Sequence, residues 1–414
     1  FKATELDFVL ITHNHTDHIG RLPVLYKYYY GGKVHTTVDT KKMLPTALKD
    51  NAKIIKMYAE KNKKKPIYNE DDVENTVSNI EEHEFYETFE PHPDINVTMF
   101  PNGHLVGAAV ILVEIACEGY ENINLLFTGD YKSSNIFFKV PDIPDWVKQL
   151  PLHIICESTY GNVDAVPVEN NQFIDNVVQW LNEGIKTIIV PAHSQGRYQE
   201  VNYDLKMAQG KKIPLSIPIR GDGNLAIKYT NLYRYSLGIL PEMRDFLPFN
   251  HSFVENNGRE EIIMNNTSPQ IIVTTAGMGT FGPAQEYIAR MIEREDVGIH
   301  FTSYLSPESL GRRLMDTPHG QMLTVGAVVK RKVAKVLTTG QYSSHAKRNE
   351  LMNFLKSCLN IRSLSINHGE PEVEESFAMY CKEELNLHDV AILGNGYTIR
   401  VDTWGIVKSV REKN

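Results

Sequence analysis

Thr12-His13-Asn14-His15-Thr16-Asp17-His18-Ile19-Gly20 places three histidines and one aspartate within six residues. Imidazole and carboxylate are the donor types that zinc prefers. The chain has fifteen histidines in 414 residues, so three in one hexapeptide is more than composition supplies. Directly before this segment, Phe8-Val9-Leu10-Ile11 has the length and composition of a buried strand. A loop leaving such a strand projects its side chains from a rigid edge. One extended turn there can present His13 and His15 to one metal ion and Asp17 and His18 to a second. The competing reading is a solvent-exposed loop that is merely rich in histidine.

Two cations need further ligands, and the chain offers them where strands are expected to end. Asn102-Gly103-His104 follows a strand ending at Phe100, and Gly129-Asp130 follows Leu125-Leu126-Phe127-Thr128. Asn367-His368-Gly369-Glu370 follows Leu364-Ser365-Ile366. Taken singly, each reads as an ordinary turn residue. Taken with the histidine-rich segment, they complete two coordination shells.

Around these segments the chain changes character twice. Short strands at Asn96 to Phe100, Ala108 to Ile115 and Ile123 to Thr128, with helices near Leu22 to Tyr29 and Lys41 to Glu60, predict a β-sandwich flanked by helices. A further short helix opens at Asp71-Asp72-Val73-Glu74. From about Val163, strands such as Thr187 to Pro191, Ile271 to Thr275 and Val297 to Thr302 alternate with helices, the pattern of a largely parallel sheet. Near Met315 the alternation stops, and Val328 to Leu337 and Ser363 to Ile366 read as strands of the first kind. The expectation is an insertion, with boundaries at 1–162, 163–315 and 316–414.

Composition narrows the class. Apolar residues make up 42% and charged residues 23%, the proportions of a soluble globular enzyme, and no apolar run is long enough to span a bilayer. The net charge of −8 argues against a protein that coats nucleic acid by bulk electrostatics, although a cleft with local charge and metal ions is unaffected by it. The one dense basic run, Lys61 to Lys65, reads as a solvated helix end. Cys117, Cys156, Cys358 and Cys381 have no paired spacing, which points to reduced thiols and a cytoplasmic location.

The whole pattern resembles the metallo-β-lactamase superfamily, and within it the β-CASP nucleases. Besides His13 to His18 and Asp130, the resemblance rests on Cys156-Glu157-Ser158-Thr159-Tyr160-Gly161, Gly340-Gln341-Tyr342-Ser343-Ser344-His345-Ala346 and His368-Gly369-Glu370. In the insertion it rests on Pro191-Ala192 with Gly196 to Glu200, on Gly277-Met278-Gly279-Thr280, and on Leu310-Gly311-Arg312-Arg313-Leu314. Among members, the chain is similar to the endonuclease subunit of the cleavage and polyadenylation complex and its prokaryotic relatives.

This resemblance implies an αββα metallo-β-lactamase sandwich with an inserted α/β β-CASP domain. It implies two Zn²⁺ ions, with Mn²⁺ as an alternative. His13, His15 and His104 would hold one, Asp17, His18 and His368 the other, and Asp130 would bridge them. A water between the metals would be the nucleophile. His345 would act as general acid with Glu157 holding it, Asp17 joining them among the catalytic groups, and Asp7 would orient a ligand histidine from behind. Arg197, Gly277, Arg312 and Arg313 are the candidate substrate contacts; the arginines read equally as internal ion pairs, and Gly277 and Gly279 equally as turn glycines.

The chain departs from the family in places. His193-Ser194 stands where Phe-Ala is usual, and Lys347 and Asn162 replace acidic residues. Several strands that relatives carry before the position of Asp7 are expected to be missing here. None of these changes removes a proposed ligand. His368 favours RNA, because DNA-repair members of the group usually carry valine there. The expected activity is a metal-dependent ribonuclease acting on single-stranded RNA, endo or exo, as a homodimer or in an RNA-processing complex, with no membrane partner. A DNA-processing nuclease and a non-catalytic scaffold subunit are the alternatives.

Overall fold

The computed structural model describes residues 2–166, 171–236, 238–244, 252–254, 258–265, 267–388, 390–394, 397–401 and 407–411. The chain divides into two compact units, Phe1–Val166 with Ser344–Asn414, and Pro167–Ser343.

In the first unit, β1 (Phe8–Leu10), β2 (Lys33–Thr37) and β3 (Ile80–His83) form a parallel sheet in that order. A second sheet contains β4 (Thr88–His92), β5 (Ile95–Pro101), β6 (Ala109–Ile115), β7 (Ile123–Phe127) and β8 (Leu152–Glu157). The strands Ile361–Asn367 and Val390–Ile392, which follow the second unit in sequence, add in parallel beyond β8. β4 to β7 are antiparallel neighbours, and β7 and β8 run parallel.

The period-2 alternation of these strands buries both faces of the larger sheet. Val97, Met99, Ala109, Ile111 and Val113 form one cluster, against which Leu10 of β1 packs. Val110, Leu112, Leu126 and Ile154 lie on the other face with Leu351, Leu355 and Phe377 from the helices Arg348–Ser357 and Pro371–Glu384. The helix Val38–Lys61 packs on β2 and β3 through an apolar stripe that includes Met43, Leu44 and Leu48. The result is the helix–sheet–sheet–helix layering expected of the sandwich.

The second unit holds β9 (Thr187–Pro191), β10 (Ile219–Asp222), β11 (Ser252–Phe253), β12 (Gln270–Thr274), β13 (Val297–Phe301), the hairpin β14 (Met322–Val325) and β15 (Val328–Arg331), and β16 (Lys335–Thr338). Six of these form a parallel sheet in the order β11-β10-β12-β9-β13-β16. This α/β unit corrects one expectation. Residues 328–338 do not return to the sandwich: β16 pairs with β13, Leu323 and Val325 join the core of the second unit, and the chain re-enters the first unit only at Ser344. Strand periodicity reports which side chains are buried but not which sheet they join.

Among the described residues no helix is long and apolar enough to cross a membrane. All four cysteines are free thiols.

Candidate metal centre

Every strand end flagged in the sequence contributes to one cluster in the first unit. His13 and His15 leave the end of β1, and the four-residue helix Thr16–Ile19 that follows carries Asp17 and His18. His104 sits in the β5–β6 loop, Asp130 follows β7, Glu157 ends β8, and His368 follows Ile361–Asn367.

The cluster has two lobes around one carboxylate. Ligand atoms of His13, His15, His104 and Asp130 lie within 4.8 Å of one another, as do those of Asp17, His18, Asp130 and His368. Asp130 turns Oδ2 toward His13 Nε2 and His104 Nε2, both at 3.5 Å. Its Oδ1 faces His18 Nε2 at 3.2 Å and His368 Nδ1 at 3.4 Å. His15 Nδ1 lies 3.0 Å from His104 Nε2, and His368 Nε2 lies 3.2 Å from Asp17 Oδ2. His13 Nε2, His18 Nε2 and Asp130 Oδ1 are buried without an aligned hydrogen-bond partner. Buried polar atoms are rarely left so. Here the orphans converge, and nitrogen and carboxylate donors spaced in this way suit a divalent transition metal in each lobe.

Local interactions fix His13, His104 and His368. Thr12 Oγ1 lies 3.1 Å from His13 Nδ1, and the Ser344 carbonyl accepts from His104 Nδ1 at 2.8 Å. Thr159 Oγ1 contacts His368 Nδ1 at 3.0 Å and donates to its carbonyl at 3.1 Å. That bond supports a left-handed φ of 55° at His368, a conformation that costs about 1–2 kcal/mol for a residue bearing Cβ. Asn102, buried, donates to the Thr128 and Asp130 carbonyls at 2.9 and 2.6 Å and accepts from His104 N at 2.9 Å. It therefore ties the His104 loop to the Asp130 loop. The neighbouring Gly103 cannot carry a side chain, since a Cβ there would lie 2.5 Å from the Lys132 carbonyl oxygen.

Electrostatics separate the two lobes. Burial, only partly offset by Asp130, lowers His13 and His104 well below the usual histidine range and His15 to about 4. These rings are neutral and ready to donate a lone pair. Burial alone would raise Asp130, but the imidazoles around it, His18 first, hold it well below the usual carboxylate range. At His368 burial is outweighed by the hydrogen bond to Asp17 and by Asp130, which lift it to about 9 in the metal-free chain.

Beside the cluster, His345 Nδ1 lies 3.0 and 3.1 Å from the two oxygens of Glu157. Glu157 is itself pinned by the backbone N–H groups of Tyr131 (2.5 Å) and Thr159 (3.2 Å). His345 Nε2 points the other way and lies 3.9 Å from Asp130 Oδ2. Burial works against a charged His345, yet Glu157 and Asp130 raise its pKa above the ordinary value.

Asp7 does not stand behind a ligand histidine. Its side chain is 70% exposed and lies 4.0 Å from His92 Nε2. Five residues of chain lie between it and His13, a span of up to about 20 Å if extended, and Thr12 occupies the supporting position instead. Among the candidate contacts in the second unit, Arg197 is buried, ion-paired with Glu200 and stacked on Tyr342 at 5.0 Å, which is the internal-ion-pair reading. Arg312 bonds Asp316 one turn along its helix at 2.9 Å, and Arg313 is exposed on the same helix. A Cβ at Gly277 would meet the His193 backbone nitrogen at 2.8 Å, so packing already requires that glycine. Thr12, Asn102 and Thr159 had no sequence signal as supports, beyond lying next to ligands or in the quoted motifs.

Three domain models match the chain in succession. The metallo-β-lactamase superfamily model covers residues 1–106, the Beta-Casp domain model 198–314, and the model of a Zn-dependent metallo-hydrolase RNA specificity domain 330–393. The chain is similar to transcription termination factor FttA of Methanococcus maripaludis, 28% identical over 388 residues, covering 89% of this chain and 59% of that protein. It is equally similar to FttA of Pyrococcus horikoshii, 28% identical over 386 residues, with 89% and 58% covered. An RNase J-like protein of Methanocaldococcus jannaschii is 27% identical over 386 residues, with 90% of this chain and 84% of that protein covered. The chain spans about three-fifths of the length of the FttA proteins it matches. Sandwich, inserted parallel sheet and RNA-specificity segment, in this order along the chain, make it a member of the metallo-β-lactamase superfamily in its β-CASP group.

Proposed function

We propose that this protein is a two-zinc ribonuclease that hydrolyses phosphodiester bonds in single-stranded RNA. The observation that carries the reading is Asp130, whose two oxygens each face a separate set of histidines. His13, His15 and His104 would hold one cation, Asp17, His18 and His368 the other, with Asp130 shared. Bound there, two such cations lower the pKa of an attacking water and neutralise charge on the phosphate oxygens.

The chain's own residues account for the other half of the reaction. With Nδ1 committed to Glu157, His345 keeps its second proton on Nε2, the nitrogen on the Asp130 side of the ring. From there it protonates the sugar oxygen as the P–O bond breaks, which spares the expulsion of an alkoxide. Glu157 stabilises the charged imidazole before transfer and fixes its orientation throughout. The description of the RNA-specificity domain and the name of the RNase J-like relative support RNA as the substrate.

The test is incubation of the protein with end-labelled single-stranded RNA and with DNA of the same sequence, beside an Asp130→Ala control. RNA cleavage that disappears in the control is expected. Internal fragments would mark an endonuclease, and a product ladder receding from one end an exonuclease. Cleavage of DNA alone, or RNA cleavage that persists in Asp130→Ala, would defeat the proposal.

A further inference from the structure

A second group of donors lies in the first unit, away from every motif read in the sequence. His35 of β2 is opposite Glu81 of β3 in parallel register, and Thr37 is opposite His83. Residues two apart on a strand share a face. His35, Glu81 and His83 therefore project from the same side of the sheet. His35 Nδ1 lies 3.0 Å from His83 Nε2 and 3.7 Å from Glu81 Oε2, and all three donors fall within 4.8 Å of one another.

These separations match those of the main cluster, where His15 and His104 are 3.0 Å apart and His13 and Asp130 are 3.5 Å apart. They are close to the spacing of about 3.4 Å between donors on a tetrahedral ion with bonds of about 2.1 Å. The surroundings are equally suitable. Phe89 stacks on His83 with centroids 3.4 Å apart and on His35 at 5.2 Å, and Phe8 meets His35 edge-on at 6.3 Å. Two phenylalanine rings, Phe8 and Phe89, thus restrict the imidazoles on the apolar side. Glu81, 49% exposed, leaves the opposite side open to solvent, and Lys33 approaches its other oxygen, Oε1, at 3.9 Å. A lone buried histidine is ordinary. Two that meet nitrogen to nitrogen beside a carboxylate with solvent access form a site.

We propose that His35, His83 and Glu81 bind one borderline divalent transition-metal ion, Zn²⁺ or Co²⁺, with water completing the coordination. Two imidazoles and one carboxylate select such ions over Mg²⁺ and Ca²⁺. The ion would lock β3 to β2, and β2 holds the strand that feeds the main cluster. The His35 carbonyl accepts from Ile11 N at 3.0 Å, and Thr36 Oγ1 donates to the Ile11 carbonyl at 2.9 Å. The role is structural, so it stands whether or not the main cluster holds two ions.

The experiment compares cobalt content of the full chain and of His83→Gln, Glu81→Gln and Asp130→Ala variants after dialysis, by native mass spectrometry. His83→Gln should carry one equivalent fewer than the parent. Glu81→Gln, which removes a charged ligand, should bind that equivalent at least about tenfold more weakly, since even the loss of an outer-shell partner costs that much. Asp130→Ala should keep it while losing metal elsewhere. Circular dichroism checks the fold, and if His83→Gln does not fold, the exposed Glu81→Gln decides. Equal cobalt content and affinity in the parent, His83→Gln and Glu81→Gln would overturn the proposal and leave a hydrogen-bonded histidine pair.

Discussion

Glu157 faces His345 Nδ1 with both carboxylate oxygens, at 3.0 and 3.1 Å, while the backbone of Tyr131 and Thr159 holds the carboxylate in place. The pair spans 188 positions of sequence and carries the general-acid half of the proposed chemistry. Glu157→Gln preserves shape but removes the charge that stabilises imidazolium. We expect kcat to fall about 10²–10³-fold with little change in KM. The pH profile supplies a sign. His345 acts while protonated, so activity is present below its pKa and lost as pH rises through it. Glu157 raises that pKa, so in Glu157→Gln the descending limb should move to lower pH. A limb that stays in place, in steady-state rates measured across pH, would separate Glu157 from this role.

The two lobes rest on different hydroxyls, which makes them separable. Thr159→Val removes the partner of His368 and should weaken the Asp17/His18/His368 lobe about 10–100-fold, leaving the other lobe unchanged. Thr12→Val should do the reverse through His13. Calorimetric titration with zinc reads both affinities, and an identical loss in the two variants would contradict the assignment of ligands to lobes.

His368, lifted to about 9 by Asp17 and Asp130, is protonated at neutral pH in the metal-free chain. A ligand must give up that proton, so zinc binding at pH 7 should release one proton to buffer on this account, falling toward none above about pH 10. Titrations in buffers of different ionisation enthalpy count the protons. Release that does not change between pH 7 and pH 10 would contradict the coupling.

Asn102→Ala tests the tie between the His104 and Asp130 loops. It strands two carbonyls and two backbone N–H groups that Asn102 now satisfies. The first unit should lose at least about 2 kcal/mol in urea unfolding. A loss below about 0.5 kcal/mol would mean that the loops hold themselves.

Arg312 pairs with Asp316 on an exposed helix face, an interaction worth no more than about 0.5 kcal/mol. Arg312→Ala should therefore leave stability unchanged. If the residue also meets an RNA phosphate, affinity should fall uniformly across sequences and the salt-dependence slope should drop by about 1. An unchanged slope would confine Arg312 to its intrahelical pair.

Much of the centre was legible because ligand chemistry is written in side-chain identity. His13 to His18 crowd four donors into one turn, and Phe8 to Leu10 announces the strand before them. The same logic marked His104, Asp130 and His368 as donors after strands. Asp7 misled, since an acidic residue near a ligand loop says nothing about the direction in which it points. Val328 to Leu337 misled for a related reason: the strands are real, but their partner is β13 in the second unit. His35, Glu81 and His83 gave no signal, because only the register of two parallel strands brings them together.

Local sequence determined the donor types, the strands that carry them and the presence of an insertion, since each depends on residues adjacent along the chain. Tertiary structure alone decided which donors meet. His15 finds His104 across 89 positions and Asp17 finds His368 across 351. Those meetings follow from strand order and register in two packed sheets, which the cores on either face enforce and which no local pattern encodes.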